Sequence, residues 1–157
     1  MLPGAAGLLT LLWTFAGPGA AARAGERLAG PVPAVVTEVV DGDTLEVRAR
    51  IWLGQDLAIR VRLAGIDAPE AGSRCAEERA LALRARAFLA ERLIPHPGAP
   101  PPVVRLRDIR NGKYAGRVLA RVEAPAGRDL GGALLAAGLA RRYDGGRRAP
   151  WCTAPEP

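Results

Sequence analysis

The chain has 157 residues, of which 49% are apolar, and its 22 Lys and Arg against 16 Asp and Glu give a net charge of +6. This apolar content is enough to form a packed core, so the chain is not of the disordered class. The length suggests one domain with accessory segments. The positive balance favours a phosphate-rich partner. Arg residues in such numbers are, however, also common in proteins from GC-rich genomes.

Residues 1–24 are predicted to be an export signal. An apolar run is followed by the helix-breaking pair Gly17 and Pro18, and then by small residues that end at Ala24. This order is typical of a cleaved signal peptide, although no Lys or Arg precedes Arg23. The apolar run is short for a bilayer span, which needs roughly 20 residues. We therefore expect an exported protein, either periplasmic or secreted; an uncleaved membrane anchor is the alternative.

The middle of the chain predicts three strands and a helix. Residues 25–34 are rich in Gly, Pro and Ala and are expected to be a linker. Strands are predicted at 34–40, 44–50 and 57–66 from β-branched residues and apolar alternation, with "DGDT" as the first turn. Residues 74–93 contain no Gly or Pro and predict an amphipathic helix. Its apolar residues are Ala80, Leu81, Leu83, Ala87, Phe88 and Leu89.

The remaining elements complete a barrel pattern. A Pro-rich stretch ends the helix, and two more strands are predicted at 103–109 and 117–124. Asp129 is expected to cap a short helix over 130–140. The order β-β-β-α-β-β-α is mainly β with helices (α+β) and suits a five-stranded OB-type barrel. The domain is expected over 35–145, with a tail at 146–157. Many other small β-barrels fit the same pattern.

The tail carries one of the two cysteines, Cys75 and Cys152. In an oxidising compartment an even count suggests one disulfide, which would tie the tail to the body of the fold. Two unrelated thiols are the alternative. Four basic residues in this part of the chain are expected to be a solvated run, although they would help to hold a polyanion. They are Arg141, Arg142, Arg147 and Arg148.

Carboxylates stand at the ends of two predicted strands. "VVDGDT" places Asp41 and Asp43 at one end, and "GIDAPE" places Asp67 and Glu70 at another. If the strands pair as a meander, these two ends could meet. Converging carboxylates repel one another unless a cation lies among them, and a hard divalent ion with oxygen ligands is the natural occupant.

Two arginines accompany these acids. Arg62 lies five residues before Asp67 on the same predicted strand, and Arg117 opens the fifth strand. Two guanidinium groups aimed at one place suit a phosphate group. A metal, two arginines and a spare carboxylate could together hydrolyse a phosphodiester, because they polarise it, stabilise its developing charge and activate water. Taken singly, each residue could instead be a turn former or surface charge.

At these residues the sequence resembles the staphylococcal nuclease (thermonuclease) family. The resemblance covers about residues 35–143 and rests on "VVDGDTLEV", "VRLAGIDAPE" and "KYAGRVLARV" in that order, with "LGGALLAAGLA" after them. It implies an OB fold and a calcium-dependent endonuclease that hydrolyses DNA and RNA with low sequence specificity and leaves a 3′-phosphate. Nucleic acid would be the substrate, with no stable protein partner and a monomeric state. The alternative is a nucleic-acid-binding module without catalysis.

The resemblance also implies a role for each matching residue. The calcium ligands would be Asp43, Asp67 and the backbone carbonyl of Ala68, where the family often has Thr. Asp41 would be an acid beside these ligands. The catalytic residues would be Arg62, Glu70 and Arg117, with Glu70 as the base or the water-orienting acid.

Lys113 and Tyr114 match a pair that contacts the flanking phosphate of the substrate. "KYAGR" has one residue more than the common K-Y-G-R of the family. The loop before Arg117 therefore has to absorb an insertion, which can displace Lys113 and Tyr114.

Overall fold

The computed structural model describes residues 25–94, 96 and 98–152, so the predicted export signal lies outside the described residues. Helix α1 spans Ala76–Leu93 and helix α2 spans Leu130–Ala136. Neither helix of the described chain has the length and hydropathy needed to cross a membrane. The strands are β1 (Arg27–Leu28), β2 (Val32–Asp41), β3 (Thr44–Trp52), β4 (Gln55–Leu63), β5 (Ile66–Asp67), β6 (Val103–Asn111), β7 (Arg117–Glu123) and β8 (Arg141–Arg142).

Five of these strands close into a barrel. β2, β3 and β4 form an antiparallel meander, β4 pairs with β7 in parallel, and β6 pairs with both β7 and β2. The apolar residues that alternate along β3, namely Leu45, Val47 and Ala49, all point into the core and are buried. With α1 between the third and fourth barrel strands, the predicted α+β fold with an OB-type barrel is confirmed.

The third strand and the linker differ from the prediction. The strand predicted over 57–66 ends at Leu63, and a turn with Gly65 at φ +81° follows it. Ile66–Asp67 then forms β5, which pairs with β8 rather than with the barrel. Residues 25–34, expected as a linker, contain β1 and the start of β2. Strands of two residues have no measurable period, so the sequence pattern could not reveal them.

Helix α1 is confirmed, but its predicted buried face is largely wrong. The buried residues are Ala82, Ala85, Leu89 and Leu93, whereas Leu83 is 63% exposed. A close contact explains the choice of small residues. A Cβ atom on Gly42, in the β2–β3 turn, would lie only 2.8 Å from the Cβ of Ala85. The alanine face therefore lets this turn approach the helix closely.

Helix α2 begins as predicted and ends earlier. Asp129 is the N-cap, and its carboxylate accepts a hydrogen bond from the backbone N–H of Gly132 at 3.1 Å. The helix ends at Ala136 rather than at 140. Gly138 explains the early end, because it adopts φ +67°, the left-handed conformation that commonly follows a helix C-terminus.

Residues 141–152, here called the C-terminal strap, fold back onto the barrel end near β5. β8 pairs with β5, and the N–H of Tyr143 donates to the carbonyl of Gly65 at 3.0 Å. Arg141 donates to the carbonyl of Pro150 and lies 3.8 Å from the centroid of the Trp151 ring. A disulfide between Cys75 and Cys152 joins the end of the strap to the residue before α1.

Removal of this disulfide is expected to destabilise the protein. The bridge joins residues 77 positions apart, and a crosslink across a long loop restricts the unfolded chain strongly. We expect Cys75→Ser/Cys152→Ser to lower the free energy of unfolding by about 2–4 kcal/mol in urea denaturation. The reduced wild-type protein is the matched control and should lose a similar amount. A loss below about 0.5 kcal/mol would contradict the structural importance of the bridge.

Candidate functional site

The turn between β2 and β3 presents the first acids. Asp41 ends β2, and its Oδ1 accepts a hydrogen bond from the backbone N–H of Asp43 at 3.0 Å. Such a bond is typical of a turn that begins with Asp. The carboxylate of Asp43 is buried and accepts from the hydroxyl of Thr44 at 3.0 Å and from the N–H of Ala68 at 3.3 Å. The turn therefore holds Asp43 against the segment that follows β5.

Arg62 joins the two predicted calcium ligands. It lies on β4, opposite Thr44 in the register of β3 and β4. Its Nη2 atom is 2.6 Å from Oδ2 of Asp43 and 3.2 Å from Oδ1 of Asp67. All three charged side chains are buried. The meander thus brings the two strand ends together, as the sequence predicted, around one guanidinium group.

The charge of Arg62 only partly offsets the effect of burial on the carboxyl group of Asp43. Burial raises its pKa to about 7, the charge of Arg62 opposes the rise, and the nearby charge of Asp41 adds to it. Burial thus disfavours the charged form of Asp43, and a divalent ion beside this carboxylate would favour it. Asp43, Asp67 and the carbonyl of Ala68 are all oxygen donors, the kind that calcium prefers. This donor set fits a hard divalent cation.

The four acids do not converge on one point. Three acidic, Cys or His side chains have ligand atoms within 4.8 Å of one another at one place among the described residues. The group is Cys75, Glu77 and Cys152, and it contains none of the predicted site acids. The two sulfur atoms of that group are bonded to each other, so they are not thiolate ligands. Asp43 and Asp67 meet at Arg62, whereas Glu70 contacts a different arginine.

That arginine is Arg148 of the C-terminal strap. Its Nη1 contacts Oε1 of Glu70, and its Nε lies 3.0 Å from Oδ1 of Asp67. Burial lowers the pKa of Arg148, but the hydrogen bond to Glu70 and the charges of Asp67, Glu70 and Asp43 outweigh this, and the net pKa is raised. The backbone N–H of Glu70 donates to Glu78 on α1 at 3.0 Å. Glu70 is therefore oriented by both the helix and the strap.

Arg117 lines the same cleft as Arg62, Glu70 and Arg148. It opens β7, and its Nε is buried without a hydrogen-bond partner among the described residues. Its guanidinium carbon is 5.2 Å from the centroid of the Tyr114 ring, and Nζ of Lys113 is 5.7 Å from the same centroid. The N–H of Gly112 donates to the carbonyl of Arg117 and closes the loop. The extra residue of this loop leaves Lys113 and Tyr114 beside Arg117.

One open cleft of about 510 Å³ collects most of the predicted site. Arg62 lines this cleft and contacts both Asp43 and Asp67, which lie behind it. Its lining residues are Asp41, Arg62, Glu70, Lys113, Tyr114, Arg117, Leu119, Tyr143, Gly145 and Arg148.

Comparison with known families shows the family of the chain. A family model described as "Staphylococcal nuclease homologue" matches residues 60–150, more than half of the chain. The chain belongs to this family. A search of the curated proteins finds no match. The nuclease-homologue match includes Arg62, Asp67, Glu70 and Arg117, whereas Asp41 and Asp43 lie before it. Membership implies a nuclease-like protein with nucleic acid as its substrate.

Four residues that line this nuclease-like cleft were not among the predicted site residues, namely Leu119, Tyr143, Gly145 and Arg148. The basic tail was expected to be solvated, but Arg148 contacts two of the predicted site acids. The two cysteines contained a usable signal. Cys75 follows Glu70 by five residues, and Cys152 follows Arg148 by four. A bridge between them brings the segments that carry Arg148 and Glu70 into the same region of the fold.

Proposed function

We propose that the protein is a calcium-dependent endonuclease that hydrolyses DNA and RNA with low sequence specificity. The observation that carries the proposal is the arrangement of Arg62, Glu70 and Arg117 around one cleft, with the Nε of Arg117 buried and unpaired. A buried donor without a partner costs about 1–3 kcal/mol. A phosphate oxygen in the cleft would relieve this cost and accept a charge-assisted hydrogen bond.

The roles of the residues follow from their environments. Arg62 and Arg117 would bind the scissile phosphate and stabilise the negative charge that develops on its oxygens. The carboxylate of Glu70 is about half exposed, and it would orient or activate the attacking water. Asp43, Asp67 and the Ala68 carbonyl would hold the calcium ion. When bound, calcium supplies positive charge that polarises a phosphoryl oxygen.

The chemistry of the cleft favours recognition of the nucleic-acid backbone over recognition of bases. Arginines and Lys113 line it, and these groups attract phosphates of any sequence. Tyr114 is 61% exposed beside Arg117 and offers a face on which a base can stack. Stacking tolerates every base. We therefore propose single-stranded DNA and RNA as substrates, cleaved to leave a 3′-phosphate.

We also propose that the protein is a monomer that is exported to the periplasm or secreted. Cleavage after the signal at 1–24 would release the nuclease-like domain over 35–145 with its linker and tail. Disulfides persist in oxidising compartments, and a bridge between Cys75 and Cys152 accords with export. A protein anchored by an uncleaved N-terminus is the alternative, and N-terminal sequencing of the mature protein distinguishes the two.

Incubation of the purified protein with single-stranded DNA and with RNA, in the presence of calcium, tests the proposed activity. We expect both substrates to be shortened to fragments with 3′-phosphate ends. Tight, salt-sensitive binding without cleavage in any divalent ion would instead indicate the non-catalytic binding module. That outcome would mean that the acids and arginines bind nucleic acid without hydrolysing it.

A further inference from the structure

The C-terminal strap brings a third arginine into the candidate site. Arg148 lines the same cleft as Arg62 and Arg117. It also contacts Asp67 and Glu70, which lie at and just after β5. Arg62 and Arg117 are assigned to the scissile phosphate, whereas the guanidinium group of Arg148 has no assigned role.

We propose that Arg148 is a further substrate-binding residue, which binds a nucleic-acid phosphate adjacent to the one bound by Arg62 and Arg117. This inference rests on the proposed nuclease function and extends it. A polynucleotide carries a phosphate at every nucleotide, so a strand laid along the cleft offers acceptors on both sides of the scissile bond. Guanidinium groups suit these acceptors because they donate several hydrogen bonds in one plane.

The hydrogen bonds of Arg148 leave part of its side chain available. Nε lies 3.0 Å from Oδ1 of Asp67 and Nη1 contacts Oε1 of Glu70, and neither of these contacts uses Nη2. An arginine has five N–H donors. Arg148 can therefore keep its contacts with the two acids and still donate to a phosphate. The two acids hold the guanidinium in place, which reduces the entropy lost when a phosphate binds.

The strap does not depend on Arg148 for its position. The β5–β8 pairing, the Tyr143–Gly65 hydrogen bond and the disulfide between Cys75 and Cys152 all attach it to the body of the protein. The pair with Glu70 is exposed and contributes little to stability, and the buried Asp67 keeps its contact with Arg62 when Arg148 is removed. Loss of this side chain should therefore affect substrate binding more than folding.

The disulfide should support the contribution of Arg148. It fixes the strap four residues beyond Arg148. Without it, the end of the strap is attached only by weaker contacts, and Arg148 is less well held beside the cleft. Removal of the bridge should therefore weaken nucleic-acid binding through Arg148.

Binding of a fluorescent oligothymidylate, followed by anisotropy with excess chelator at several salt concentrations, tests the inference without cleavage. We expect Arg148→Ala to raise the Kd about tenfold and to lower the slope of log K against log salt by about 0.7, the value for one phosphate contact on a single strand. Arg148→Lys should retain the slope and recover part of the affinity. In cleavage assays with calcium, KM should rise by a larger factor than kcat falls.

Arg84→Ala is the matched control, because Arg84 is exposed on α1 and its removal changes the net charge equally. Cys75→Ser/Cys152→Ser should weaken binding in the wild type but have little further effect in Arg148→Ala. A Kd and a slope for Arg148→Ala that equal those of Arg84→Ala would overturn the inference. Tighter binding or faster cleavage by Arg148→Ala would overturn it too, because Arg148 would then block the site. If the wild-type protein neither binds nor cleaves, the proposed function fails together with the inference.

Discussion

Glu70→Gln is expected to reduce kcat on single-stranded DNA by about two to four orders of magnitude. Glutamine keeps the size of the side chain and an oxygen that can accept from Arg148, but it cannot take a proton from water. The side chain is about half exposed, so the fold should remain intact. The measurement is single-turnover cleavage of a labelled oligonucleotide, with circular dichroism to verify folding.

Glu91→Gln provides the matched control for this variant. Glu91 is exposed near the end of α1, outside the residues that line the cleft, and its replacement should leave the rate unchanged. A Glu70→Gln rate within about threefold of the wild type would remove Glu70 from the assignment, since a general base contributes far more than this. Another group would then have to activate the water.

Arg117→Ala should also cost about two to three orders of magnitude in kcat/KM, the usual effect of losing a donor to a developing charge. Among the described residues its Nε has no hydrogen-bond partner to lose, so the cost should appear in catalysis rather than in stability. Arg117→Lys should recover only part of the rate, because an ammonium group cannot donate two parallel hydrogen bonds to a phosphate. Steady-state cleavage of single-stranded DNA measures both variants.

Arg110→Ala is the control for the loss of positive charge. Arg110 is exposed on β6, and β6 pairs with β7, which Arg117 opens. We expect its replacement to change kcat/KM only slightly. If Arg110→Ala and Arg117→Ala lose activity equally, the effect of Arg117 is general electrostatic attraction, and its assigned contact with the scissile phosphate is wrong.

The barrel could be predicted because its strands are long enough to show a period. Apolar alternation in β3 and β7 identified half-buried strands, and Asp129 gave a clear helix start. The apolar pattern gave the wrong buried face where tertiary contacts decide which residues of a helix are buried. Helix α1 buries the small residue Ala85 because the turn at Gly42 packs closely against it, and a rule that seeks large apolar residues selects the wrong face.

The candidate site could be predicted where it follows local motifs. Asp43, Asp67 and Arg62 lie at strand ends whose pairing a meander already implies, and the structure joins them directly. Arg148 could not be found in this way, because it is 78 residues from Glu70 in sequence. Its position depends on a two-residue strand pairing and on a disulfide that the sequence left open.

Calcium dependence is the most direct test of the claim that these acids and arginines form a nuclease site. The measurement is degradation of single-stranded DNA by the purified protein with calcium, then with excess chelator, and then with calcium restored. We expect degradation to stop on chelation and to return with calcium, because Asp43 and Asp67 offer oxygen ligands that need a divalent ion. Degradation that continues at the same rate in chelator, or no degradation with any divalent ion, would contradict this claim.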